Sequence, residues 1–196
     1  MSTTQKQPST ACICETCEGC ELDERLLCHH TTAEKIDFMV LVIGWFIPFV
    51  AGMIIGKHWV GQIVWAALAI IFFGYVEALI LCRHCPHYAE PGFFLSCHAN
   101  AGLPKIPKLD PRPLTRLERI VWVIYVLVLF LYFIPFFIVS QQWVLLVINT
   151  WAFILAARML IRTKCRRCYV VSCPLNRLPD DLRQKVYENY PEFRPK

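Results

Sequence analysis

Four apolar runs dominate the pattern of hydrophobic and polar positions: residues 37–56, 59–81, 120–139 and 143–161. Each is about 20 residues long, the length with which an α-helix crosses a hydrocarbon core of roughly 30 Å. The runs come in pairs, because Gly56-Lys57-His58 and Ser140-Gln141-Gln142 leave room only for an immediate antiparallel return. The pattern predicts an all-α integral membrane protein whose four transmembrane helices form two hairpins, residues 36–82 and 119–164. Around them lie a cysteine-rich N-terminal arm (1–35), a loop rich in Cys, His and Pro (83–118) and a cysteine-containing tail (165–196).

Local signals refine these elements. Thr32 is placed to cap the first helix, with Glu34 in its first turn where a negative charge suits the dipole. Pro48 predicts a kink inside that helix, tolerable where neighbouring helices cover the freed carbonyl. Trp59 is placed to anchor at the interface opposite the cysteines. The run of prolines from Pro104 to Pro113 predicts an extended, stiff loop, and residues 180–188 read as a short surface helix.

The hairpins read as tandem copies. Phe46-Ile47-Pro48-Phe49 recurs as Phe133-Ile134-Pro135-Phe136, Glu34-Lys35-Ile36 as Glu118-Arg119-Ile120, and Trp59 as Trp143. From tryptophan to the first cysteine of the following C-x-x-C is 23 positions in one copy (59 to 82) and 22 in the other (143 to 165). Each copy ends in a further cysteine and then Leu-Pro, at Leu103-Pro104 and Leu178-Pro179. Tandem hairpins enter and leave on one side, so duplication predicts a pseudo-twofold axis along the membrane normal.

Composition agrees with a bilayer location: 56% of residues are hydrophobic, above the roughly 45–50% of soluble domains, and the mean hydropathy is +0.44. The polar first residues lack the basic start and apolar core of a cleaved secretory signal. The net charge of +5 comes from residues beside helix ends, with no basic stripe interleaved with aromatics, so nucleic acid is not an expected partner. With four crossings, arm, loop and tail share one side, and that side holds all 11 cysteines. Ten Lys and Arg flank the helix ends there, from Arg83 to Arg167, against Lys57 alone opposite. The positive-inside rule then puts both termini and every thiol in the cytoplasm, where thiols stay reduced and metal ligation or thiol chemistry is the default.

The chemistry is carried by Cys82-Arg83-His84-Cys85 and Cys165-Arg166-Arg167-Cys168, one C-x-x-C knuckle at the end of each hairpin. Together they offer four sulfurs, a tetrahedral shell. If helices 2 and 4 are adjacent, the knuckles converge on one shared site, with Arg83, Arg166 and Arg167 offsetting thiolate charge. A second group, Cys12, Cys14, Cys17, Cys20 and Cys28, packs five thiols into seventeen residues, and Cys97 and Cys173 are further metal-ligand candidates. The arm's C-x-C-x2-C-x2-C spacing differs from the bacterial ferredoxin run, although Cys85-Pro86 and Cys173-Pro174 share the Cys-Pro that closes it. Thiolates suit an iron–sulfur cluster or zinc. His29, His30, His84, His87 and His98 are lesser candidates.

Glu77 and Arg158 lie inside the apolar runs toward the cysteine end. Intramembrane charges are expensive, and are paired or functional. The pair reads as an ion pair between helices 2 and 4, or as a cofactor site for a quinone head group.

These residues predict a membrane protein holding cysteine-ligated metal at the cytoplasmic face. It relays electrons to a membrane carrier, or docks a cytoplasmic redox protein or the subunits of a membrane complex. Two alternatives stand: a soft-metal capture and transfer protein, and a thiol oxidoreductase using C-x-x-C directly.

Overall fold

The computed structural model describes Ala11, Cys20, Leu22, residues 25–27, residues 32–95, Cys97 and residues 100–194. The first span is α1 (Thr32–Ile55). The second starts as α2 (Trp59–Ile71), passes through a π-helical turn (Phe72–Val76) and resumes as α3 (Glu77–Ile80). After a 3-10 turn (Cys82–His84) and the short α4 (Pro86–Ala89), the loop leads to the third span, α5 (Arg116–Leu131) and α6 (Phe133–Val139). The fourth span is α7 (Trp143–Thr163), and α8 (Asp180–Asn189) lies in the tail. Among the described residues no β-strand occurs, only an isolated bridge between Phe94 and Pro104.

Among the described residues, four helical stretches are long and apolar enough to cross a membrane: Ile36–Ile55, Trp59–His84, Arg116–Val139 and Trp143–Thr163. Only 6% of the most apolar window of the fourth is buried within the protein. The remaining face is continuous apolar surface of the kind that lipid covers. Trp59 and Trp143, both exposed, stand at the two far turns. The chain is thus built as a multi-pass membrane protein.

Helix boundaries follow from local chemistry. α1 begins at Thr32, so Thr32 is its first helical residue and not its cap, and the helix runs on through Pro48. Pro135 has no N–H for the carbonyl four residues back, and the third span is interrupted just there, at Tyr132. α5 opens with a capping box in which Thr115 Oγ1 accepts from the Glu118 N–H (3.2 Å) and Glu118 Oε2 from the Thr115 N–H (2.8 Å).

The two far turns have the same backbone. Lys57 and Gln141 adopt left-handed φ of 56° and 54°, and the next amides close equivalent bonds, His58 N–H to the Met53 carbonyl (2.9 Å) and Gln142 N–H to the Phe137 carbonyl (2.8 Å). The turns are also tied together, with His58 Nε2 2.6 Å from Ser140 Oγ and Gln142 Nε2 donating to the Gly52 carbonyl (3.0 Å). The second span contains a π turn, whose i→i+5 bonding accommodates one extra residue in a helix.

An aromatic core forms where the FIPF segments meet, with Trp45, Phe49, Phe133 and Phe137 all buried. Two glycines permit this approach: a Cβ on Gly52 would strike the Phe137 ring, and one on Gly61 would lie 2.7 Å from the Phe136 ring. The first span packs on the second, the fourth and α6, and the second also meets α5. No substantial contact joins the second span to the fourth, contrary to the adjacency expected of them.

Beyond the spans, arm, loop and tail close into a cap. Leu22 and Leu26 from the arm pack with Leu114, Tyr169, Val170, Leu178 and, on the inner face of α8, Leu182 and Val186. α8 is therefore half of a packed layer as well as a surface helix.

Candidate thiolate site

Each knuckle is set by the end of its helix. Leu81 leaves the regular helix with φ −110°, the 3-10 turn takes over at Cys82, and the Cys85 N–H bonds the Cys82 carbonyl (3.0 Å). At the fourth span the Lys164 and Cys165 amides both bond the Leu160 carbonyl (2.9 and 3.0 Å), and the Arg167 N–H closes a turn onto Lys164 (3.1 Å). The knuckles are bridged by the arm: Leu27 gives its N–H to the Arg167 carbonyl (2.8 Å), and its own carbonyl lies 3.1 Å from His87 Nε2.

Backbone amides face the sulfurs. The His87 N–H is directed at Cys85, the Val170 N–H at Cys168, and the Leu175 and Asn176 amides at Cys173. Asn100 donates its backbone N–H to Cys97 Sγ (3.3 Å) and its side-chain amide to Cys82 Sγ (3.2 Å). Such donors favour the thiolate, but burial outweighs them. It pushes the Cys85 thiol well up, with repulsion from Cys168 and then Cys97 adding to it, and it also raises Cys168, where Cys173 adds to it. Cys173 is pushed to about 11 by burial. Cys165 is raised by burial and eased by the Arg177 guanidinium.

The sequence-predicted residues are only partly brought together. Cys85 and Cys168, one from each knuckle, are electrostatic neighbours, and Cys97 acts on both. Among the described residues, however, no three of His, Cys, Asp and Glu close on one point as a metal shell. Cys20 is disulfide-bonded, where a reduced thiol was expected. Thiols in contact can share a metal or join, and Cys20 has joined. Cys12, Cys14, Cys17, Cys28, His29, His30 and His98 lie outside the described residues.

Three expectations are corrected. Glu77 and Arg158 do not pair: Glu77 hydrogen-bonds Asn100, its Oε2 is buried without a partner, and Arg158 is exposed. The cause is the separation of the spans that carry them. His84 and His87 are not spare ligands, since His84 takes the Asp110 carbonyl on Nδ1 (2.7 Å) and Arg83 Nε on Nε2 (3.2 Å). His87 meets Glu90 Oε1 on Nδ1 (2.7 Å) and Leu27 on Nε2. Arg83 is committed to Glu118 (2.9 Å), and the cation that eases the Cys165 thiol is Arg177, which the sequence reading passed over. Asn100 and Asn176 were also missed, although each stands three residues after a cysteine, in Cys97-His98-Ala99-Asn100 and Cys173-Pro174-Leu175-Asn176.

No family model matches the chain, and no curated protein or solved structure is significantly similar to it.

Proposed function

We propose that this membrane protein holds a cysteine-ligated metal centre, an iron–sulfur cluster or zinc, at the cytoplasmic face of the bilayer. What carries the reading is the gathering of both knuckles, with Cys97 and Cys173, at one end of the bundle, with amide N–H donors at Cys82, Cys85, Cys97, Cys168 and Cys173. The donor set fits a thiophilic metal. A buried thiolate is costly alone, and a metal ion removes the proton and offsets the charge together. The same burial weighs against a C-x-x-C thiol oxidoreductase, whose attacking cysteine needs a lowered pKa, whereas Cys85, Cys165, Cys168 and Cys173 are all raised.

The cytoplasmic placement rests on the excess of Lys and Arg at the cysteine end. Tandem duplication is supported by the matched far turns. The centre relays electrons to a carrier in the membrane or docks a cytoplasmic redox partner. In the relay role Glu77, a buried carboxyl on the membrane side of Cys82, is the polar group between centre and bilayer. Anaerobic purification of the full chain with metal and acid-labile sulfide analysis tests the reading. Stoichiometric iron with sulfide supports the relay, stoichiometric zinc supports a structural docking centre, and a chain purified without metal that binds neither zinc nor iron sinks both.

A further inference from the structure

Among the described residues, the large apolar side chains exposed outside the four spans are Phe93, Phe94, Ile106 and Leu109, at 63%, 59%, 55% and 41%. All four belong to the loop between the second and third spans, and its backbone gathers them. The Lys105 N–H bonds the Phe93 carbonyl (2.8 Å), Phe94 bridges to Pro104, and the Leu95 N–H bonds the Leu103 carbonyl (2.9 Å). A short hairpin thus sets the aromatic pair beside the proline segment. The Phe93 and Phe94 rings meet edge to face, with centroids 5.1 Å apart. The Asp110 N–H bonds the Arg83 carbonyl (3.0 Å), which belongs to the end of the second span. Leu109 is therefore held at the level where that span leaves the bilayer.

We infer that this hairpin is an interfacial anchor, whose Phe93, Phe94, Ile106 and Leu109 sit among anionic phospholipid headgroups in the leaflet at the cysteine end. The inference stands on the membrane location of the chain and does not need a metal centre. Continuity points to lipid: the loop leaves one span, is tied back to its end at Arg83 and leads into the next, so the bilayer that covers the spans also borders Leu109. Aromatic rings are favoured at the membrane–water boundary, whereas an apolar patch left in water is costly. Charge selects the kind of lipid. Residues 105–116 hold four basic side chains, Lys105, Lys108, Arg112 and Arg116, against the single acid Asp110. Lys105 is held by the Glu90 carbonyl and Arg112 by Glu118, but Lys108, between Ile106 and Leu109, is exposed, and a lysine beside a membrane is drawn to anionic headgroups. The hairpin also carries Asn100, which donates to Cys82 Sγ (3.2 Å), so anchoring it fixes the depth of that contact relative to the membrane surface.

The test is photolabelling of the full-length wild-type protein in nanodiscs of phosphatidylcholine and phosphatidylglycerol, either lipid carrying a diazirine near its headgroup, with labelled residues mapped by mass spectrometry. Label is expected on the segment from Phe93 to Leu109 as well as on Trp151, which is exposed on the fourth span, and the loop should take more of it from phosphatidylglycerol than from phosphatidylcholine. The double substitution Phe93→Ser with Phe94→Ser should lower the loop label several-fold and leave that of Trp151 unchanged. If that variant does not fold, the wild-type map decides alone. Lys108→Gln should abolish the preference for phosphatidylglycerol, and a preference kept in full overturns the choice of anionic lipid. A loop left unlabelled while Trp151 is labelled overturns the anchor. Native mass spectrometry then tells what the patch does instead: a dimer assigns it to a contact between two copies of the chain, and a monomer leaves it in water.

Discussion

The side-chain amide of Asn100 donates to the sulfur of Cys82 over 3.2 Å, and the same side chain meets the carboxyl of Glu77. One residue of the loop thus fixes two buried polar groups at the end of the second span. Removing a buried hydrogen-bond partner costs about 1–3 kcal/mol. Asn100→Ala is expected to lower the unfolding free energy in detergent by that order, read as a lower thermal midpoint, and Asn100→Asp, which keeps the size but puts a carboxylate beside Glu77, lowers it at least as far. A wild-type midpoint in both variants would show that the bond has no weight.

The arm is held on the cap by apolar burial more than by charge. Leu26 is 2% exposed in the main cap cluster, whereas the Arg25–Asp181 ion pair (2.7 Å) has side chains 50% and 56% exposed. Exposed pairs contribute at most about 1 kcal/mol, and a buried leucine cut to alanine loses about 2–5 kcal/mol. Limited proteolysis of the arm should speed up strongly in Leu26→Ala and barely in Arg25→Ala. The reverse order would refute this.

The four spans were legible because a bilayer imposes length and hydropathy on sequence directly. Lateral neighbours were not, since an apolar stripe facing lipid and one facing another helix read alike. Hence Glu77 and Arg158 looked paired although their spans share no substantial contact. The π turn over Phe72–Val76 has no residue signature of its own and needed the backbone. Asn100 and Asn176 stand in the repeated Cys-x-x-Asn, but a search for metal ligands passes over residues that brace cysteines from outside, Asn100 by donating to sulfur and Asn176 by donating to the Cys168 carbonyl. That both ring nitrogens of His84 and His87 are engaged was not legible, because one partner of each, Asp110 and Leu27, is far off in sequence.

At Gly52 the third span presses close, with the Phe137 ring occupying the space a Cβ would take. Overpacking of this kind costs about 1–3 kcal/mol. Gly52→Ala should destabilise the bundle by that amount, and Phe137→Leu in the same chain should restore part of the loss by giving the methyl room. Additive losses in the double variant would mean that the two residues do not compete for the same space.

The proposed orientation puts the far turns outside the cytoplasm. Lys57 is exposed there, and a cysteine at that position adopts no worse a backbone than the lysine it replaces. Lys57→Cys should react with an impermeant maleimide in intact cells while the remaining cysteines do not. Labelling of Lys57→Cys only after permeabilisation would invert the topology.

The raised thiols predict how stability depends on pH, with opposite signs in the metal-free and metal-loaded protein. Burial moves Cys173 from an ordinary value of 9.0 to about 11 and moves Cys85, Cys165 and Cys168 upward as well. A group raised on folding binds its proton more tightly in the native state, so its stabilisation is complete below the unfolded value and disappears as pH rises through the folded one. For Cys173 that window runs from 9.0 to about 11. The metal-depleted protein should therefore keep a level unfolding midpoint up to about pH 9 and lose stability above it. Once metal holds the thiolates, the native state carries no thiol protons and the unfolded chain takes them up below its own pKa, so stability should instead rise with pH over the neutral range. Lysine and tyrosine titrate in the alkaline window too, and Cys173→Ser separates them, because it removes only the thiol's share of the slope. Unfolding midpoints followed from about pH 6 to 10.5, with and without a chelator, check both signs. A metal-depleted protein that gains stability above pH 9, or a Cys173→Ser variant with the wild-type slope, would show that these thiols are not the groups responsible.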